Sequence, residues 1–267
     1  MPVYRMLSGR PVAALVLPAV LATAGCDIVT ADFKHKESTE WRKTYELQPG
    51  GRVEIGNVNG KIDVEPSTGN TVEIVALKTA RAGSAEGAKQ ALERIQIREE
   101  ASPSSVKVET NIQRNHSFFN MGGAEVRYTV RVPAGAEVRF TTVNGGIELG
   151  GLTGRIRAET TNGGITARNV EGSIEASTTN GGVDVELSRL NQGGVRLECT
   201  NGGIKLRLPS DSKANISASV TNGGINTEGL SIETTETSRR HLEGRLNGGG
   251  PTIKIEGTNG GIRIAAR

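Results

Sequence analysis

Few residues in this 267-residue chain are spaced for chemistry. The three histidines, His35, His116 and His241, lie far apart, and none stands at ligand spacing from another His or Cys, so no metal site is expected. No Ser-His-Asp or Cys-His set assembles, which leaves no catalytic residue and no cofactor to assign. Carboxylates are the remaining reactive candidates. Glu148 and Asp184 hold equivalent positions two repeats apart, roughly 9.6 Å at strand spacing, near the upper end of the separation in inverting glycosidases. Other repeats place Thr166, Lys205, Asn226 and Arg263 there, as a solvated face of mixed charge would. A basic group, Arg239, Arg240, His241 and Arg245, sits in the longest insertion and is suited to an acidic glycan, headgroup or protein. Phe118, Phe119 and Met121 concentrate in residues 115–123, where they could anchor a partner or cover a core.

The two cysteines divide by context. Arg5 and Arg10 precede an apolar stretch at 11–25, which is too short for a membrane span of ~20 residues and is broken by Pro18. This reads as a secretory signal ending Thr23-Ala24-Gly25-Cys26, which resembles the bacterial lipobox except that Thr23 stands where Leu is usual. Cys26 is therefore the expected lipidation site, and the expected address is the bacterial cell envelope outside the cytoplasm, periplasmic or on the outer surface. Cys199 then has no partner and falls in a register of buried residues, as a small core residue would. Losing Arg5 and Arg10 with the signal leaves the 32 basic residues only one ahead of the 29 acidic ones, so no nucleic-acid partner is expected.

What must position all these side chains is a repeat. Asn144, Asn162, Asn180, Asn201, Asn222 and Asn259 each begin an Asn-Gly-Gly followed by Ile or Val, at steps of 18, 18, 21, 21 and 37 residues. A second apolar start, Ile156, Ile174, Val195, Ile216 and Ile253, lies nine residues before the Ile or Val of each later repeat, from Ile165 to Ile262. Period-two alternation after each start predicts half-buried strands. Eighteen residues leave no room for a helix, so the expectation is an all-β, single-stranded parallel β-solenoid, right-handed, whose successive coils stack in sequence order. A two-sided or a triangular coil fits equally. Paired glycines permit tight approach at the corner, and its asparagines are expected to form a ladder of internal hydrogen bonds. Every change of length falls at the opposite corner.

The expected organisation is a signal peptide at 1–25, a polar tether at 26–44, a strand-rich solenoid part at 45–143 and the Asn-Gly-Gly solenoid at 144–267. A helix at about 84–95, with Ser84 as N-cap, is expected to cap the stack. The runs LQPGGRVEIGNVNGKIDVEP, VRYTVRVPAGAEVRFTTVNGGIEL and LEGRLNGGGPTIKIEGTNGGIRI, with the Thr-Asn-Gly-Gly-Ile repeats between them, resemble the bacterial β-strand-repeat family labelled "putative adhesin", a family of unknown function. The resemblance covers about residues 45–267 and implies a β-helix-like fold and an envelope location, with no catalytic residues. The expected function is a non-enzymatic, adhesin-like binding or scaffold lipoprotein, anchored to the membrane and able to meet an envelope glycan or protein. The alternative is a polysaccharide hydrolase or lyase on a β-helix.

Overall fold

The computed structural model of the protein describes residues 34–113 and 123–267. The chain runs through β1 (His35–Glu46), β2 (Arg52–Gly56), β3 (Ile62–Ser67), β4 (Thr71–Ala82), α1 (Ala85–Glu93), β5 (Ile95–Ser102), β6 (Ser105–Ile112), β7 (Gly123–Pro133) and β8 (Glu137–Asn144). It continues through β9 (Ile147–Gly150), β10 (Ile156–Asn162), β11 (Ile165–Glu171), β12 (Ile174–Asn180), β13 (Val183–Arg189), β14 (Val195–Asn201) and β15 (Ile204–Leu208). The last elements are β16 (Ala214–Asn222), β17 (Ile225–Glu228), β18 (Ile232–Thr237), β19 (His241–Leu246), β20 (Thr252–Asn259) and β21 (Ile262–Ala266). No described helix is long and apolar enough to cross a membrane.

These strands make two sheets over one core, and neither sheet closes into a barrel. The first has the order β1-β4-β7-β3-β9-β11-β13-β15-β21-β17, and the second β18-β19-β16-β20-β14-β12-β10-β8-β2-β6-β5. The repeat strands therefore form two sheets joined at two corners. Each coil runs up a strand of the second sheet, turns at Asn-Gly-Gly and returns along the first. Neighbouring coils pair in parallel and in register, Ile156 on Ile174 and Asn162 on Asn180. Inward positions carry Ile, Val, Leu and Ala at almost no exposure, each large one contributing about 1.5–3 kcal/mol of burial. The one fully buried tyrosine, Tyr128, shares a hydrogen bond with the Thr110 hydroxyl at 2.7 Å, and burial pushes its pKa up to about 12.

The coils do not all stack in sequence order. Order holds from β8 through β14, but β14 next pairs with β20, and β20 with β16, so Asn259 lies between Asn201 and Asn222. At the other end β2 and β3 sit between β8 and β9 on one side and β6 and β7 on the other. At both ends the chain travels one coil too far and later, or earlier, fills the gap. Ile253 replaces Ile216 beside Val195 at the first inward position, so register alone cannot say which copy comes next, although the later inward positions differ, Ile255 and Gly257 in β20 against Ala218 and Val220 in β16.

Both ends of the stack turn antiparallel. β1 pairs with β4 along its length, β4 with β7, and β5 with β6; at the far end β18 pairs with β19 and β19 with β16. These hairpins cover edges that would otherwise offer unpaired strands. Residues 35–46, expected to be mostly tether, are thus a strand. Its residues are exposed apart from half-buried Trp41 and Tyr45, so no alternation marked it. The expected helix is present but starts one residue later and ends two residues earlier, Ile95 opening β5 instead; Ser84 Oγ accepts from Gly87 N at 3.1 Å, and the helix packs on β4 and β1 with Ala88 buried.

Candidate functional site

The Asn-Gly-Gly corner comes first, because it positions both outer faces. Each asparagine donates its Nδ2 to the Oδ1 of the coil before it: Asn144 to Asn59 at 2.7 Å, Asn162 to Asn144 and Asn180 to Asn162 at 2.8 Å, Asn201 to Asn180 at 2.9 Å. Asn259 continues to Asn201 at 2.8 Å and Asn222 ends the run on Asn259 at 2.9 Å. The row begins where Asn59 donates to the Ala124 carbonyl at 3.1 Å. These side chains lie on the exposed ridge of the corner and not inside it, because the ladder lies outside the last inward position of each strand.

The two glycines of the corner are not equivalent. A Cβ on Gly181 would stand 2.0 Å from the Gly163 carbonyl oxygen, and one on Gly202 1.8 Å from that of Gly181. On Gly182, the second glycine, it would stand 3.4 Å from the nearest such oxygen. The repeat at Asn59 keeps Gly60 and replaces the second glycine by Lys61, as this difference allows. Beneath the ridge a buried column donates to the same carbonyls: Thr160 to Gly145 at 2.9 Å, Thr178 to Gly163 at 2.8 Å and the Cys199 thiol to Gly181 at 3.1 Å. Cys199 occupies a threonine position, and burial raises its thiol pKa, which opposes a nucleophilic role.

On the outer face of the second sheet most charges are matched. Arg52 meets Glu54 and Glu137, Arg157 meets Glu159 and Glu175, Arg196 meets Glu198 and Glu256, and Lys254 meets Glu256. Four arginines on this side, Arg98, Arg139, Arg155 and Arg245, are exposed and form no ion pair among the described residues; of these, Arg139 and Arg155 share a groove. Arg139 stands in register between Arg157 and Glu54, and its guanidinium forms no ion pair with that glutamate. Arg52, Arg139, Arg155 and Arg157 line one groove of about 270 Å³, with Glu54, Glu137 and Glu175 as its only acids. Sequence reading missed this site, although the 18-residue step from Asn144 to Asn162 already sets Arg139 beside Arg157; what the step does not show is that Arg139 and Arg155 form no ion pair.

The acidic candidates on the first sheet are neutralised. Glu148 and Asp184 are two coils apart with Thr166 between them. Lys61 Nζ lies 2.7 Å from Glu148 and 2.6 Å from Asp63. Burial opposes the Lys61 charge, but hydrogen bonds and attraction from Asp63 and Glu148 outweigh it and raise its pKa. Asp184 is held by Arg207 at 2.8 Å. Neither carboxylate is placed as a free acid or base.

The basic group of the long insertion divides. The Arg239 and Arg240 carbonyls accept from Ile225 N and Val220 N, so their backbone seals the outermost coil. Arg240 Nη1 donates to the Thr221 carbonyl at 3.3 Å, while Arg245 faces Glu233 across the β18–β19 pair. Glu228, Glu233, Glu236 and Glu243 outnumber the three arginines, so the insertion is not a basic patch. His241 Nε2 lies 3.6 Å from Glu243 and 3.8 Å from Glu236, three donors that could hold a divalent cation. Spacing to other His or Cys could not show this, because Glu236 comes opposite Glu243 only through a bulge in β18. Cys26, His116, Phe118, Phe119 and Met121 lie outside the described residues.

Fold and corner together define a class: a two-sheet stacked repeat protein built on an asparagine–glycine corner. The chain belongs to the DUF4097 Toastrack family, whose model matches residues 43–265. It is similar to a crystal structure of a "putative cell adhesion protein" from Clostridium sporogenes, at 13% identity and a TM-score of 0.52, over 86% of this chain and 100% of that one. A "putative adhesin" from Bacteroides fragilis matches at 10% identity and a TM-score of 0.28, over 86% and 97%. A "putative lipid binding protein" from Parabacteroides distasonis matches at 8% identity and a TM-score of 0.29, over 88% and 98%. At 13% identity the first of these likenesses speaks to fold alone. No curated protein matches the chain.

Proposed function

We propose that this protein is a non-enzymatic, adhesin-like binding module of the bacterial cell envelope, held by a lipid on Cys26, that takes an anionic envelope glycan in the arginine groove of its second sheet. The carrying observation is the pair Arg139 and Arg155, exposed, side by side in one groove and without an ion pair, on a face where Arg52, Arg157, Arg196 and Lys254 are all matched. A planar guanidinium is suited to grip a carboxylate, sulfate or phosphate with two parallel hydrogen bonds. The non-enzymatic reading is supported by the cations on Glu148 and Asp184. In this reading the coils wind right-handed, the hand that parallel crossovers take.

The test is binding of the mature chain to isolated envelope material across a salt series. Charge-assisted hydrogen bonds contribute about 1.5–3 kcal/mol each, so Arg139→Ser with Arg155→Ser should weaken binding at least about tenfold and flatten its salt dependence at unchanged melting temperature. Replacing Arg239, Arg240 and Arg245 with Ser should leave binding in place. If instead the hairpin variant loses binding and the groove variant keeps it, the groove is not the site. In cells, Cys26→Ala should move the protein from the membrane to a soluble fraction; unchanged partition would remove the anchor from the reading.

A further inference from the structure

The asparagine ladder has one chemically open end. Every ladder asparagine precedes a glycine, and Asn-Gly is the dipeptide most prone to deamidation, because no side chain shields the glycine nitrogen from the asparagine Cγ. In that reaction the glycine nitrogen loses its proton and bonds to Cγ, the Cγ–Nδ2 bond breaks, and ammonia leaves. Water then opens the cyclic imide to aspartate or isoaspartate. No metal, oxidant or enzyme is required.

Two restraints oppose this inside the stack. The glycine N–H is engaged, Gly163 to Asn180 O at 2.8 Å, Gly181 to Asn201 O at 2.9 Å and Gly202 to Asn259 O at 2.9 Å. The asparagine side chain is also held on both sides, by an acceptor in one neighbouring coil and a donor in the other. Asn222 differs on both counts. Its Nδ2 donates to Asn259, but no coil lies beyond it, so its Oδ1 accepts nothing and Gly223 N–H donates nothing among the described residues. The capping hairpin receives Val220 N and Ile225 N on either side and passes over the corner between them. Gly223 is accordingly exposed, where Gly163, Gly181, Gly202 and Gly260 are half-buried.

We propose that Asn222 is a site of spontaneous deamidation, and that the ladder keeps the other rungs amidated. Deamidation there replaces a donor by a carboxylate facing the Asn259 Oδ1, turning the last rung from attraction to repulsion. It loosens the outermost coil, β16 with β17, and with it the hairpin that closes the stack. The molecule therefore ages from this end.

The sequence supplies its own control. Asn162, Asn180, Asn201, Asn222 and Asn259 all lie in Thr-Asn-Gly-Gly followed by Ile or Val, so their intrinsic reactivities match and only the fold separates them. The mature chain is held in warm, mildly alkaline buffer, and imide, aspartate and isoaspartate are followed at each position by peptide mapping with mass spectrometry. Each hydrogen bond that must first open is worth about a two- to tenfold slowing, so Asn222, which lacks two of them, should convert about five- to a hundredfold faster than Asn180 or Asn201. In concentrated urea the rates should converge. Equal rates in the folded chain, or an Asn222 excess that persists in urea, would overturn the proposal. Asn222→Asp should lower the melting temperature of the full chain; an unchanged or higher value would overturn the stated consequence.

Discussion

The two corners of the coil follow opposite rules. At the Asn-Gly-Gly corner the path between inward residues is nine residues in every later repeat, from Ile156 to Ile165 through to Ile253 to Ile262. At the opposite corner β11 reaches β12 in two residues, β13 reaches β14 through 190–194, β15 reaches β16 through 209–213, and β17 reaches β20 only after a whole hairpin. The difference is in what each corner touches. The fixed corner is made of contacts between coils: glycine against the carbonyl of the next glycine, amide against amide, a threonine or cysteine beneath. An added residue there would shift every atom out of line with its copies above and below. The variable corner also touches its neighbours, as where Ser173 Oγ donates to the Gly193 carbonyl, but these contacts differ from coil to coil and its turns partly satisfy themselves, as where Asn191 Oδ1 accepts from Gly193 N. Uniformity is demanded where identical atoms meet, and drift is permitted where they do not.

Breaking the fixed corner should have the largest effect. Gly181→Ala drives a Cβ into the Gly163 carbonyl and also meets a φ of 148°, so it should cost more than about 3 kcal/mol in a urea series. Gly182→Ala, one residue along, should cost less than about 1 kcal/mol. Equal costs would show that inter-coil contact does not set the rule. Next comes the ladder itself. Asn180→Ala removes one donor and one acceptor on an exposed ridge where water can substitute in part, and should cost about 1–2 kcal/mol. Ser177→Ala, on the outer face of the same strand, should cost less than about 0.5 kcal/mol. The smallest effect is expected at the variable corner. A short Gly-Ser insertion between Asn247 and Gly248, where a Cβ on Gly248 would meet nothing within 4 Å, should move the midpoint by less than about 0.6 kcal/mol, the cost of modest loop lengthening. A loss comparable to that of Gly181→Ala would erase the distinction between the corners.

Much of this was legible from residue types alone, because the signals are local. Alternation from Ile174 to Thr178 states which side chains go inward, and a glycine pair after each asparagine states where the chain bends. Ser84 marks a helix start, and Cys199 shows its burial by falling where other coils place threonine. The cation-capable trio at His241 was not legible, since it joins residues from strands whose pairing had first to be known, and the arginine groove was legible only as the step from Arg139 to Arg157, not as cations without ion pairs.

The order of the coils was decided only by the tertiary structure. Register carries no address at the strand starts, where Val195 pairs with Ile253 as it would with Ile216, while further along the inward residues of the two copies differ, Val220 packing over Gly257. What selects the order is the reach of the connections and the cover available at the ends. The path from Ile225 to Ile253 is long enough to build a hairpin beyond the outer coil and return, so the final strands enter a slot paired on both sides while β16 takes the hairpin against its edge. The sequence by itself determined the coil, its corner and its inward face, because those depend on neighbours along the chain. Which coil lies against which, and therefore which asparagine ends the ladder, depends on burying edges across the whole stack.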